Sequence, residues 1–197
     1  MSIDRVSDGD LVQRFRQGDA SAFGELVDRH RSSVYRAALA ALGSHAEAED
    51  AAQDAFIAAY RRIDSFRGEA SFKTWLLTIT WHQAINRRRS LTRIWRRLVE
   101  PAPDEEHDAR IAEVAAVGPT PEQAAGQDQL RRAIRQVIQA LPPKLRDTLL
   151  LAQAGDYSYE EIGAMLGAPL GTIKWRVSEA RRTIRKRLRE QGYGDVG

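Results

Sequence analysis

Apolar residues return at three- and four-residue intervals along most of this chain, and no stretch alternates in the manner of a half-buried strand. Phe23, Leu26, Val27, His30, Val34, Ala38 and Leu42 mark one long amphipathic helix, closed by Gly43. A shorter helix precedes it, from Asp8 to Gln17, and ends at Gly18-Asp19. The pattern predicts a third helix over about His45 to Arg61 and a fourth over about Phe72 to Arg88, with a loop around Gly68 between them. The periodicity then lapses. Pro101, Pro103, Gly118, Pro119 and Pro121 stand among acids, a composition that sustains neither regular structure nor a core. Helical spacing resumes from Leu130 to Leu141, breaks at Pro142-Pro143, and continues from Lys144 to Ala154. The expectation is an all-α protein: one small helical domain over residues 8–95, a flexible acidic linker over 96–127, and a second helical domain over 128–191.

The segment Asp156 to Arg187, DYSYEEIGAMLGAPLGTIKWRVSEARRTIRKR, carries the most specific local signal. Ser158 and Glu161 have capping-box spacing and open a short amphipathic helix. The turn Gly167-Ala168-Pro169-Leu170-Gly171 follows, and then a basic helix. That is the layout of a helix-turn-helix whose second helix enters a DNA major groove. Ile173, Val177, Ala180, Ile184 and Leu188 form a stripe that must pack inward, expected against Leu149, Ile162 and Leu166. The opposite face then presents Lys174, Trp175, Ser178, Glu179 and Arg181 or Arg182. Arg176, Arg182, Arg185 and Lys186 suit backbone phosphates, which position a protein, whereas base contacts specify. Pro169 suits the first helical turn, and Ala168 is a poor cap that leaves amides open to a phosphate.

Charge strengthens this picture. A net charge of only +3 conceals two basic blocks, one with eight Lys or Arg and a single acid between Lys174 and Arg189, the other with six Arg and no acid between Asn86 and Arg97. Between them, Glu100 to Asp128 holds eight acids and one base. Either block alone would read as a solvated helix face; two flanking an acidic stretch suggest two nucleic-acid-facing modules. Within the first module, Phe66, Phe72, Trp75 and Trp81 fall within sixteen residues and run into Arg87, Arg88 and Arg89. Aromatic faces beside arginines are what single-stranded DNA needs, although Phe72, Trp75, Ile79 and Ile85 also have the spacing of core residues. Phe66, Arg67, Gly68 and Glu69 lie in the loop, where packing accounts for less. Upstream, Glu47, Glu49, Asp50 and Asp54 begin the third helix; Asp50, Gln53 and Asp54 share one face, a candidate protein-docking surface.

Taken in order, these segments resemble the extracytoplasmic-function sigma factors, the small two-domain class of bacterial transcription initiation factors. EAEDAAQDAF is similar to the family's core-polymerase-binding segment, and FRGEASFKTWLLTI to its minus-ten-reading loop and helix. LPPKLRDTLLL with YSYEEIGAMLGAPLGTIKWRVSEARRTIRK is similar to the domain that reads the minus-thirty-five element. The resemblance implies that Glu49, Asp50, Gln53 and Asp54 dock on the clamp helices of the polymerase β′ subunit, that the β subunit is a partner as well, and that the linker threads through the polymerase channel toward the RNA exit path. It implies minus-ten contacts from Phe66, Arg67, Gly68, Glu69, Phe72, Lys73, Thr74, Asn86, Arg87 and Arg88. Minus-thirty-five contacts fall to Thr172, Lys174, Trp175, Arg176, Ser178, Glu179 and Arg182. Partners are then core RNA polymerase, promoter DNA and an anti-sigma protein. No cofactor or metal is implied, and no catalysis.

Three departures stand out. The family often has Asn where this chain has His82, Ser where it has Trp175, and Arg where it has Glu179. An acid facing the groove accepts from cytosine N4 rather than donating to guanine, so the upstream preference should be this chain's own.

Other classes fit less. There are no cysteines, which excludes a disulfide framework and cysteine-ligated zinc. No apolar run approaches the ~18 residues of a membrane span, and the N-terminus lacks a signal-peptide pattern, so the cytoplasm is expected. His30, His45, His82 and His107 are scattered, without metal-ligand spacing. A stand-alone helix-turn-helix regulator explains the last helix but assigns no role to EAEDAAQDAF or to the aromatic loop.

Overall fold

The computed structural model describes residues 6–98, 121–154 and 157–194. These form two compact units of four α-helices each, and no strand occurs among the described residues. No helix there is long and apolar enough to cross a membrane.

The first unit contains α1 (Asp8–Arg16), α2 (Ala20–Leu42), α3 (His45–Arg62) and α4 (Phe72–Leu98). Each start has a local cause. Ser7 and Asp10 form a reciprocal capping box on α1, Asp19 accepts from the Ser21 amide to cap α2, and Ser44 accepts from Glu47 to cap α3. α2 lies against α1, α3 and α4, and α3 packs on α4 as well. α3 buries only alanines along its helical stretch, Ala48, Ala51, Ala55 and Ala59, and these short side chains let its neighbours come close. Bulk comes from the other helices: Leu11, Leu26, Val34, Leu76, Leu77 and Trp81 fill the space. Removing one such leucine side chain typically costs about 2–5 kcal/mol.

The second unit contains α5 (Pro121–Gln139), α6 (Pro143–Gln153), α7 (Tyr159–Leu166) and α8 (Leu170–Glu190). α8 is its spine and touches each of the other three. Leu188 packs with Ala133 and Val137 of α5, and Ala180 packs with Leu141 and Leu149. Ile173, Val177, Ala180 and Leu188 are buried as the periodicity requires, and Ile184 is partly buried between the same neighbours.

Several boundaries differ from expectation. α4 runs ten residues past Arg88, because the arginine run contains good helix formers and no breaker precedes Pro101. α5 starts at Pro121, since proline is tolerated in a first turn whose amide would be unpaired anyway. Both helices therefore enter the ends of the expected linker over 96–127, the rest of which lies outside the described residues.

Candidate nucleic-acid interface

The loop between α3 and α4 is held from beneath. A 3-10 turn, Ile63–Ser65, continues α3, and the Arg16 guanidinium reaches across from α1. Its Nη2 donates to the carbonyls of Phe66 (2.6 Å), Ile63 (2.9 Å) and Asp64 (3.3 Å). One cation thus ties together three carbonyls of the turn that follows α3. Ser71 starts α4, its Oγ accepting from the Thr74 amide at 3.1 Å and meeting the Thr74 hydroxyl at 2.8 Å.

The loop's rings face inward. Phe66 and Phe72 are only 9% and 3% exposed, and their centroids lie 5.6 Å apart at 87°, an edge-to-face contact. Trp75, half-buried, lies 5.5 Å from Phe66 and 5.7 Å from Phe72. The His30 ring stands behind Phe72 at 5.7 Å, its Nε2 2.7 Å from Asp8. Phe66, expected from its loop position to escape packing, instead folds back onto α4. Phe66 and Phe72 therefore do not present open faces to a base. Thr74 is buried as well, and Lys73 is half-buried. Arg67, Gly68, Glu69, Ala70 and Ser71 form the exposed crest.

On α3, Glu49, Asp50, Gln53 and Asp54 are all exposed, as a docking face requires. The same face continues into Ile57 and Tyr60, two of the exposed large apolar side chains among the described residues. Tyr60 packs one side on Phe15 and Phe23, each 5.1 Å away between centroids. The structure adds a residue the sequence had assigned elsewhere. Arg87 of α4 donates from Nε to Glu47, from Nη2 to Asp50 at 2.8 Å, and from Nη1 to Asp54 at 3.5 Å. Its guanidinium is held even more firmly protonated than usual, chiefly by the Glu47 hydrogen bond. Arg88 donates to the Ala41 carbonyl at the end of α2, at 3.2 Å. Of the expected minus-ten set on α4, Asn86 is exposed, with His82 one turn before it.

In the second unit the capping box at Ser158 and Glu161 is present, and Gly167 ends α7 with φ +59°, a conformation that favours glycine. The turn is tight: a Cβ on Gly163 would lie 2.7 Å from the Ala168 carbonyl oxygen. Pro169 stands just before α8 rather than within its first turn, and no side chain caps that end. Lys174, Trp175 and Ser178 are exposed on the outward face, Trp175 at 61%, while Thr172, Arg176 and Glu179 are half-buried. Arg182 grips Glu179 with two parallel bonds, Nε to Oε2 at 2.9 Å and Nη2 to Oε1 at 2.7 Å. The Arg182 hydrogen bond leads in holding the Glu179 carboxyl below the ordinary carboxylate range.

The chain thus carries an exposed loop crest, an acidic face on α3 and a basic, indole-bearing face on α8, and comparison with known proteins gives them a context. Residues 26–94 match the family described as Sigma-70 region 2, and residues 131–184 match Sigma-70, region 4. The chain is similar to the extracytoplasmic-function (ECF) RNA polymerase sigma factor SigW of Bacillus subtilis, 35% identical over 91% of this chain and 95% of that protein. It is also similar to the ECF RNA polymerase sigma-E factor of Escherichia coli, 35% identical over 92% of this chain and 94% of that one. Among solved structures, the sigma factor RpoE in complex with the anti-sigma factor NepR from Bartonella quintana aligns with a TM-score of 0.56 at 26% identity, covering 85% of this chain and 96% of that one.

Proposed function

The chain belongs to the extracytoplasmic-function sigma factors of RNA polymerase, and we propose how its surfaces divide the work of promoter recognition. As a sigma factor it binds core RNA polymerase and directs transcription initiation at particular promoters; it is an initiation factor and not an enzyme. The exposed acids of α3, Glu49, Asp50 and Asp54 with Gln53, dock on a basic surface of the polymerase, the β′ clamp helices. Core binding aligns both units on DNA, and tethering makes the second contact intramolecular. α8 enters the major groove of the upstream element with Lys174, Trp175 and Ser178 outward and the Glu179–Arg182 pair beside them, while Thr172 and Arg176 border the phosphates.

The crest Arg67–Ser71 receives an extruded base of the non-template strand, with Asn86 flanking it. The packed rings of Phe66, Phe72 and Trp75 serve this crest as a stiff floor and not as stacking faces. Contacts there offset the few kcal/mol needed to unstack and unpair a base.

Outside transcription an anti-sigma partner holds the chain, a role supported by likeness to RpoE, whose structure contains the anti-sigma factor NepR. All of this takes place in the bacterial cytoplasm.

The single observation that carries the DNA reading is α8 itself: a buried stripe on the core side and an exposed, basic, indole-bearing face on the other. Run-off transcription from a genomic promoter library with core polymerase tests it. Adding the protein should yield new starts that share an upstream and a minus-ten element. If no start depends on the protein, the proposal fails.

A further inference from the structure

Arg87 stands in a run of arginines expected to follow DNA phosphates, yet its surroundings are wrong for a phosphate. Each of its three guanidinium nitrogens faces a carboxylate of α3: Nε meets Glu47, Nη2 meets Asp50 at 2.8 Å, and Nη1 meets Asp54 at 3.5 Å. Glu47, Asp50 and Asp54 are spaced by three and four residues, so they form one stripe that a single planar fork can span. A phosphate approaching Arg87 would meet all three carboxylates at close range, and the one positive charge leaves that cluster net negative.

The exposures show which groups remain available. Arg87 and Glu47 are mostly covered, with side chains 31% and 32% exposed, whereas Asp50 and Asp54 stand out at 63% and 57%. We propose that Arg87 is a positioning residue for polymerase docking: from α4 it holds Glu47 and Asp50 in place, so that the outer edges of Asp50 and Asp54 meet a cationic partner surface in one fixed arrangement. The inference rests on the docking role given above to α3. It also joins that face to α4, whose first turn carries the minus-ten loop, through a contact forty residues apart in sequence.

The sign of the effect separates positioning from simple charge. Removing Arg87 makes α3 more acidic, so long-range attraction alone would tighten binding to a basic partner. Loss of positioning would weaken it. Lysine keeps the charge but is a point donor and cannot span three carboxylates.

The test is equilibrium binding of the labelled full-length chain to bacterial core RNA polymerase, with helical content checked for each variant. Arg87→Ala should weaken binding by on the order of tenfold, within the coupling range of contacting charged residues. Arg87→Lys should weaken it in the same direction, and Glu47→Gln, which reaches the pair from the other side, should add little to Arg87→Ala. Promoter opening should fall no further than the loss of core binding accounts for. Equal or tighter binding by Arg87→Ala overturns the inference, as does a loss of opening without a loss of core affinity. Asp54→Ala and Gln53→Ala report on the docking role itself. If both bind as well as the parent, that role and this inference fall together. If they weaken binding and the Arg87 variants do not, only the positioning role is lost.

Discussion

Glu179 brings a negative charge into a face that is otherwise basic, and its consequence depends on one neighbour. Taken alone it would accept from cytosine N4. In the folded chain both carboxylate oxygens are already engaged by Arg182, one turn on. The two residues therefore act as a unit. Glu179→Arg should shift the preferred upstream sequence, and selection from randomised duplexes reads this out. Glu179→Gln and Arg182→Gln should then change preference at the same base pair; a change in Glu179→Gln alone would mean that Glu179 touches a base by itself. Gly163 is a different kind of position, where space rather than charge decides. Its missing side chain leaves room for the Ala168 carbonyl, at 2.7 Å from where a Cβ would stand. Gly163→Ala must push the turn away from α7, and a loss of about 1–3 kcal/mol, typical of overpacking, should appear in thermal unfolding.

The helices were largely legible from sequence because their causes are local. Ser158 with Glu161, Gly43 after Leu42, and the apolar stripe from Ile173 to Leu188 each signal within a turn or two, and each is where the pattern put it. Where an element ended was less legible. The pattern predicts an end near Arg88, but the arginine run beyond it contains no Gly or Pro to stop a helix. Phe66 was misjudged for a related reason: a loop position says little about whether a ring can fold back onto the next helix. One junction between elements carries a pH dependence. Asp19 caps α2 through Ser21 and pairs with Arg14 of α1 at 2.7 Å. Its hydrogen bonds, that with Ser21 first and then that with Arg14, hold its carboxyl below the usual range. Its contribution is therefore complete above the unfolded carboxylate value and is lost as pH falls through the lower folded one. Asp19→Asn should destabilise the chain at neutral pH, and the gap should close on acidification, which helical circular dichroism during a pH titration would follow.

Across the chain, the contacts that a single sequence hides are the long-range ones. Arg87 reaches back forty residues to Glu47, and Arg16 reaches forward fifty to Phe66; no spacing rule announces either. The two-domain division, by contrast, follows from prolines and acids that any reader can see. We expect fragments 1–98 and 121–197 to fold separately, each with helical circular dichroism and a cooperative melt of its own. Failure of either fragment to fold would show that the boundaries proposed for the domains are wrong. Arg16 also bears on how such proteins are recombined. It lies on α1, before residue 26 where the matched region begins, yet it fastens three carbonyls beneath the crest. A chimera that imports residues 66–74 to acquire new promoter taste would carry over the visible side chains and leave their anchor in the donor. Grafts of that segment should open promoters only when the host supplies an arginine at the equivalent place on its first helix.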